Sequence, residues 1–260
     1  MNQRMPAIFI GHGNPMNAIQ DTVWSRAWIE LGKRLPRPRA ILSISAHWYV
    51  PKTAATAMTM PRTLHDFSGF PQALFDITYP APGDPALVER LQTLLVPDSL
   101  HADLAWGLDH GTWSVLHHIF PDADIPVVQL SINQTKSPTF HYELGQRLSP
   151  LREEGILLLG SGNVVHNLQT YAWQATAPVS PLDWATRFET TVCELISSGD
   201  YTQLVNYSSL GQDAKLAVPT PEHYLPLLYI LGASNMNEAI KFPIKGITGG
   251  SISMLAVEIN

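Results

Sequence analysis

The sequence has a single cysteine, Cys193, in 260 residues. No disulfide can form within the chain, and no CxxC spacing offers zinc or redox chemistry. Charge is scarce as well. Asp, Glu, Lys and Arg make up 15% of the residues, against about 25% in an ordinary soluble domain. Apolar residues make up 45%, which excludes a disordered chain and allows a sizeable core. There is no basic excess: 16 Lys and Arg stand against 22 Asp and Glu, for a net charge of −6. Basic residues gather no more densely than Lys33, Arg34, Arg37 and Arg39, so nucleic acid is not an expected partner. No apolar run approaches the ~20 residues of a membrane span. The opening MNQRMPAIFIGHG is too short in apolar residues for a secretory signal. The expectation is a cytoplasmic protein with a small substrate. A Walker lysine, a GxSxG elbow and an HExxH pair are also absent.

What is present is a regular alternation of apolar runs and helical periods. Ala7–Ile10, Ala40–Ser45, Ile125–Ile132 and Gly155–Leu159 read as buried strands, and Thr53–Met60 as a third, short one in chain order. Helices fit residues 17–34, 84–96, 111–120, 137–149, 181–198 and 200–206. Another fits 221–231, with Thr220 as N-cap and Pro221 in the first turn. Residues 61–83 have Pro, Gly and aromatics without period. They predict a long loop that packs through Phe67, Phe70 and Phe75. Lys241–Lys245 and Ser251–Ile259 alternate like a hairpin. The pattern predicts one α/β domain over residues 1–260, with a central mixed, partly parallel sheet flanked by helices.

Ten histidines then need explaining. His12 follows AIFIG, His47 follows ILSISA, and His166 follows GILLLGSGNVV. In open α/β sheets, ligands bind at the carboxyl ends of the strands, so parallel neighbours would bring these three rings to one edge. His110, from the loop before a helix, is placed to join them, as is His223 at a helix start. Neutral imidazole is the commonest metal ligand and the usual acid/base near neutral pH. A lone loop histidine is more often a hydrogen-bonding residue, and that is the reading for His65, His117, His118 and His141. GSGNVV after a strand lacks the third glycine of a dinucleotide site. Cys193, in a helical pattern, reads as buried rather than nucleophilic.

Six motifs carry a resemblance. GHGNPM (11–16), SAHW (45–48), HDFSGF (65–70), LDHGTW (108–113), GSGNVVHN (160–167) and PEHY (221–224) occur in order over nearly the whole chain. They resemble the class III extradiol ring-cleavage dioxygenases, and within them the bacterial 4,5-DOPA extradiol branch. The resemblance implies a mononuclear metal at the carboxyl ends of the strands, with His12, His47, His166 and His223 at the metal and His110 as the catalytic acid/base. His166 is implied either as a further ligand or as an acid/base itself. His223 stands where relatives that cleave protocatechuate carry a glutamate. Glu222 is the neighbouring carboxylate, pointing away in a helical reading.

The implied reaction is 4,5-extradiol cleavage of a catechol such as L-DOPA by O2, giving a semialdehyde. One divalent ion per chain is expected, with Zn2+ carried on isolation and Fe2+ needed for oxygen chemistry, because zinc has no redox chemistry yet binds nitrogen sites more tightly than ferrous iron. Two other functions use the same residues. One is a zinc hydrolase with His110 as base. The other is a non-catalytic metal-containing binding protein on the same fold.

Overall fold

The structure, a computed structural model, describes residues 4–175, 177–235 and 237–260. In chain order its strands are β1 (Ala7–Gly11), β2 (Ala40–Val50), β3 (Ala54–Thr56), β4 (His101–Asp103), β5 (Val127–Asn133), β6 (Ile156–Gly162), β7 (Ile240–Ile244), β8 (Ile247–Thr248), β9 (Ile252–Ser253) and β10 (Ala256–Ile259). Its α-helices are α1 (Val23–Arg34), α2 (Gln72–Phe75), α3 (Pro85–Leu94), α4 (His110–Ile119), α5 (Pro138–Leu148), α6 (Asp183–Ser198), α7 (Tyr201–Val205), α8 (Gln212–Ala217) and α9 (Leu225–Gly232).

Eight strands form one sheet in the order β4-β3-β5-β2-β6-β1-β10-β7. The middle four, β5, β2, β6 and β1, run parallel, and β10 closes against β1 antiparallel. Every residue of β1, β5 and β6 is buried, as expected of strands covered on both faces. Alternate residues feed two cores. Phe9, Leu42 and Leu158 face one side with Leu144, Phe188 and Leu228. Ile8, Ile41 and Leu157 face the other with Trp28, Leu31, Trp113 and Leu116. Side-chain caps start the helices where the sequence changes register. Thr22 caps α1 in a reciprocal pair with Ser25, and Asp109 caps α4 by accepting from Thr112 N at 3.1 Å, each worth about 1 kcal/mol.

The α/β expectation with a central mixed sheet is met, and several boundaries move. β2 does not stop at Ser45. It pairs with β6 only as far as Ser45↔Ser161, then continues through His47, with its register against β5 broken between Ile44 and Tyr49. That irregularity lets His47 turn out of the sheet. The last helix is shorter at its start. Residues 219–224 are turn, and α9 begins at Leu225 with Pro226 in its first turn. Thr220 does not cap it; its hydroxyl donates to Glu222 Oε1 at 2.7 Å. β4 and α8 are short elements without a clear period in the sequence. The C-terminal strands β7 and β10 do pair, and the turn between them contains the small β8–β9 ladder.

Candidate metal centre

Three parallel neighbours set the frame. β6 lies between β1 and β2, with Gly11 opposite Gly162 and Ser45 opposite Ser161. His12 follows β1 directly and is held by its N–H on Gly162 O at 3.1 Å. His47 leaves β2 at its irregularity. His223 is fixed to the end of β6 through its carbonyl, which accepts from Asn163 N at 2.8 Å. Gly162 is required at that point, since a Cβ there would stand 2.1 Å from His223 O. His110 opens α4, and His166 sits in the loop after β6.

All five histidines named from the sequence meet in one cluster. Ring centroids of His12, His47 and His223 form a nearly equilateral triangle of 5.0, 5.1 and 5.4 Å. His110 lies 3.9 Å from His47 and 5.6 Å from His12. The nitrogens of His12, His47 and His110 lie within 4.8 Å of one another, as do ligand atoms of His166, Glu222 and His223. His166 is stacked on His223, with centroids 3.4 Å apart and planes 5° from parallel. A point in the plane of one stacked ring lies outside the plane of the other, so these two rings do not aim at a common centre.

The hydrogen bonds decide which nitrogen each ring offers. Ser161 donates its hydroxyl proton to Gly111 O at 2.5 Å. Its oxygen therefore accepts from His12 Nδ1 at 2.9 Å. The Asp66 carboxylate accepts from His110 Nδ1 at 3.0 Å, and its Oδ2 lies 3.2 Å from His47 Nδ1 as a charge contact. The His110 backbone N–H donates to the same Asp66 Oδ1 at 2.9 Å. Glu222 Oε1 faces His223 Nδ1 at 3.3 Å. In the tautomer these partners favour, with the proton on Nδ1, each ring offers Nε2 as a lone pair. Among the described residues, the buried His223 Nε2 has no hydrogen-bond partner. Nε2 of His12 and Nε2 of His47 face each other at 3.2 Å.

These residues fit a divalent metal ion. Two lone pairs turned toward each other and a third left orphaned are costly without a cation. Two nitrogens bound at about 2.1 Å to one ion stand roughly 3.0–3.4 Å apart at angles from octahedral to tetrahedral. Metal-bound histidines commonly pass their other N–H to a carboxylate or another acceptor, and Ser161, Asp66 and Glu222 are three such acceptors.

Electrostatics agrees. Burial first, and then the neighbouring imidazoles, hold His12 and His223 well below the ordinary histidine range. The same causes lower His47 to about 3, against the opposing pull of Asp66. Burial lowers His166 to about 4. The rings are thus neutral at pH 7, the form a metal binds. Burial alone would raise Asp66, but the hydrogen bond and charge of His110 and the charge of His47 prevail and bring it to about 2. Burial and the nearby Asp66 raise Asp109, beneath α4, to about 6.

Three of the five remaining histidines have hydrogen-bond partners in the fold. His65 meets Ile77 O at 3.0 Å, His118 meets Asn17 O at 2.8 Å, and His141 meets the Tyr229 hydroxyl at 2.8 Å. Cys193 is buried, which pushes its thiol up to about 11 and leaves it a poor nucleophile. The 61–83 loop packs as expected, with Phe67 against Phe70, Phe75, His110 and Trp113. That packing delivers Asp66 to the cluster. Asp66 and Ser161 lie inside the motifs HDFSGF and GSGNVVHN, yet the histidine pattern alone did not single them out. The signal for Asp66 was a lone acid between aromatics in a loop expected to pack.

Comparison with known proteins identifies the family. The family described as the catalytic LigB subunit of aromatic ring-opening dioxygenase matches residues 7–249. The chain is 53% identical to 4,5-DOPA dioxygenase extradiol of Escherichia coli (strain K12), covering 98% of this chain and 95% of that protein. It is 38% identical to 4,5-DOPA dioxygenase extradiol of Beta vulgaris, covering 94% and 92%. The crystal structure of an uncharacterized protein from Escherichia coli K12 superposes with a TM-score of 0.84 at 48% identity, covering 99% of this chain and 100% of that one.

Proposed function

Because this chain belongs to the LigB family of aromatic ring-opening dioxygenases, and to the class III extradiol superfamily, we propose that it cleaves a catechol such as L-DOPA with one divalent metal ion held by His12, His47 and His223. The observation that carries the reading is the set of three Nδ1 anchors: Ser161 for His12, Asp66 for His47 and Glu222 for His223. They turn the Nε2 lone pairs inward on three rings whose centroids form a triangle about 5 Å on a side. Two close relatives are named 4,5-DOPA dioxygenase extradiol, which supports the substrate and the 4,5 position of cleavage.

Held by these residues, a ferrous ion would supply the redox chemistry between a catechol and dioxygen. Zinc has no redox chemistry, so Fe2+ is the working ion and Zn2+ the one carried on isolation. The rest of the chemistry falls to the side chains. His110 has its Nδ1–H tied to Asp66, which leaves Nε2 to take a phenolic proton and return it later. That keeps the acid/base role expected for His110. His166, stacked on His223 rather than aimed with it, serves as a second proton carrier beside the substrate instead of a fourth ligand. Three protein ligands, His12, His47 and His223, would leave room at a bound ion for substrate. Cleavage next to the diol yields a semialdehyde.

The test is to load metal-free protein anaerobically with Fe2+ and add L-DOPA in air. Oxygen uptake with a yellow product is expected. Protein that binds one equivalent of zinc, consumes no oxygen with Fe2+ and hydrolyses esters instead would overturn the reading in favour of a hydrolase.

A further inference from the structure

One carboxylate serves two histidines of different duty. We infer that Asp66 is the positioning residue that fixes the tautomers of His47 and His110 together, and so holds the metal ligand and the proton carrier in matched states. The inference rests on the proposed roles of those two rings. Oδ1 of Asp66 accepts from the backbone N–H and Nδ1 of His110, at 2.9 and 3.0 Å, while Oδ2 lies 3.2 Å from His47 Nδ1, where its charge favours a proton on that nitrogen. Its carboxylate is about a fifth exposed, at 19%, so the loop delivers it to the cluster rather than sealing it in the core.

The same arrangement answers a question raised by the ligand set. His12, His47 and His223 are all neutral, so they give a divalent ion no negative charge. The two-histidine, one-carboxylate face common among non-haem iron oxygenases supplies that charge directly. Here carboxylates stand one residue further out, Asp66 behind His47 and Glu222 behind His223. A carboxylate behind an imidazole raises the basicity of its far nitrogen. The negative charge is therefore passed through the ring, and in the case of Asp66 it reaches two rings at once.

Asp66→Asn separates this role from a merely structural one. The amide has one favourable orientation, since its oxygen must face the two N–H groups of His110. Its NH2 then meets His47 Nδ1, which can only accept. The His47 proton moves to Nε2, where it donates to His12 Nε2, 3.2 Å away. The metal-free protein gains a hydrogen bond by this change and loses a lone pair that a metal needs. Two readouts should thus move in opposite senses.

The experiment measures the Zn2+ dissociation constant by competition with a chromophoric chelator, and the thermal midpoint of the metal-free protein, for wild type and Asp66→Asn. The expected result is a weakening of zinc binding by about 10–100-fold with a midpoint unchanged or raised. Unchanged zinc affinity overturns the inference, as does a variant that loses stability in step with affinity. Nitrogen-15 spectra of the metal-free wild type supply a second reading: His47 and His110 should both carry their proton on Nδ1, and a proton on Nε2 of either ring contradicts the assignment. Wild-type protein that binds no zinc, or His47→Ala that binds it as well as wild type, would count against the metal site itself. The tautomer spectra would still judge Asp66.

Discussion

Nε2 of His12 and Nε2 of His47 face each other across 3.2 Å, with the Ser161 hydroxyl and the Asp66 carboxylate on the Nδ1 sides of the two rings. Ser161 holds the His12 proton on Nδ1, and the charge of Asp66 favours the same nitrogen of His47. Two converging lone pairs are an arrangement for a cation rather than for a hydrogen bond. Most of the expected behaviour of the site follows from this pair and from His223 beside it.

Replacing any ring of the triangle should remove the metal. His12→Ala, His47→Ala and His223→Ala are each expected to reduce bound metal from one equivalent to near zero after dialysis, as read by elemental analysis. His110→Ala should keep its metal and slow turnover by roughly 10²–10⁴-fold, the usual worth of a general acid/base. A variant of the triangle that retains stoichiometric metal would lose its place among the ligands.

Ser161 should matter through His12. Ser161→Ala removes the acceptor for His12 Nδ1 and the donor to Gly111 O, both buried. Metal affinity should fall by about 10–100-fold, and stability by about 1–3 kcal/mol from the groups left unpaired. Ser161→Thr, which keeps the hydroxyl, should recover affinity wherever its methyl is accommodated. Chelator competition and denaturant titration measure the two effects separately.

Gly111 keeps α4 close to His47. A Cβ at this position would stand 2.6 Å from Ser45 Oγ and 3.0 Å from His47 Cδ2. Gly111→Ala should therefore displace His47, costing about 1–3 kcal/mol by overpacking and lowering metal occupancy. Normal occupancy together with normal stability in this variant would show that the turn has slack that the distances deny.

The metal-free protein should lose stability as pH falls from about 7 to about 5. His12, His47, His166 and His223 all have folded values lowered by burial, to about 3 for His47 and about 4 for His166. In the unfolded chain they take up protons near 6.5. Below that pH the unfolded state binds protons that the folded state refuses, so folding weakens by about 1.4 kcal/mol per pH unit per ring. Asp109 acts in the opposite sense, because its folded value of about 6 lies above the unfolded one and favours the folded state as pH falls. Glu189, raised by burial, acts with Asp109, while His117, His118 and His141, lowered by burial, act with the four rings. Thermal midpoints across this range check the sign; a flat profile would mean that the rings are charged or exposed in the metal-free fold.

Much of this was readable in the sequence because the informative residues follow uncharged apolar runs. Such runs become the buried parallel strands β1, β2 and β6, and the residue just past a parallel strand faces the ligand edge. His12 and His166 were placed correctly by that logic alone. His47 was placed near its strand end, although β2 runs on past it, because a register irregularity has no apolar signature. The acceptors were harder to see. Asp66 lies 44 residues from His110 in sequence, and Ser161 lies 149 from His12. No periodicity links such pairs; only the packing of a loop and the adjacency of two strands does. The helix start near His223 was misplaced for a local reason. Thr220 bonds to the Glu222 side chain instead of the helix, and Pro226 sets where α9 begins. The stack of His166 on His223 is likewise a tertiary fact with no counterpart in spacing.

The most direct test of ring cleavage at this site is turnover of L-DOPA by the Fe2+-loaded protein under isotopically heavy dioxygen, with the product analysed by mass spectrometry. The account predicts one dioxygen consumed per L-DOPA and heavy oxygen retained in the new carboxylate of a ring-opened product, with no hydrogen peroxide released. A product with the ring intact and no heavy oxygen, or peroxide formed in step with oxygen uptake, would contradict it.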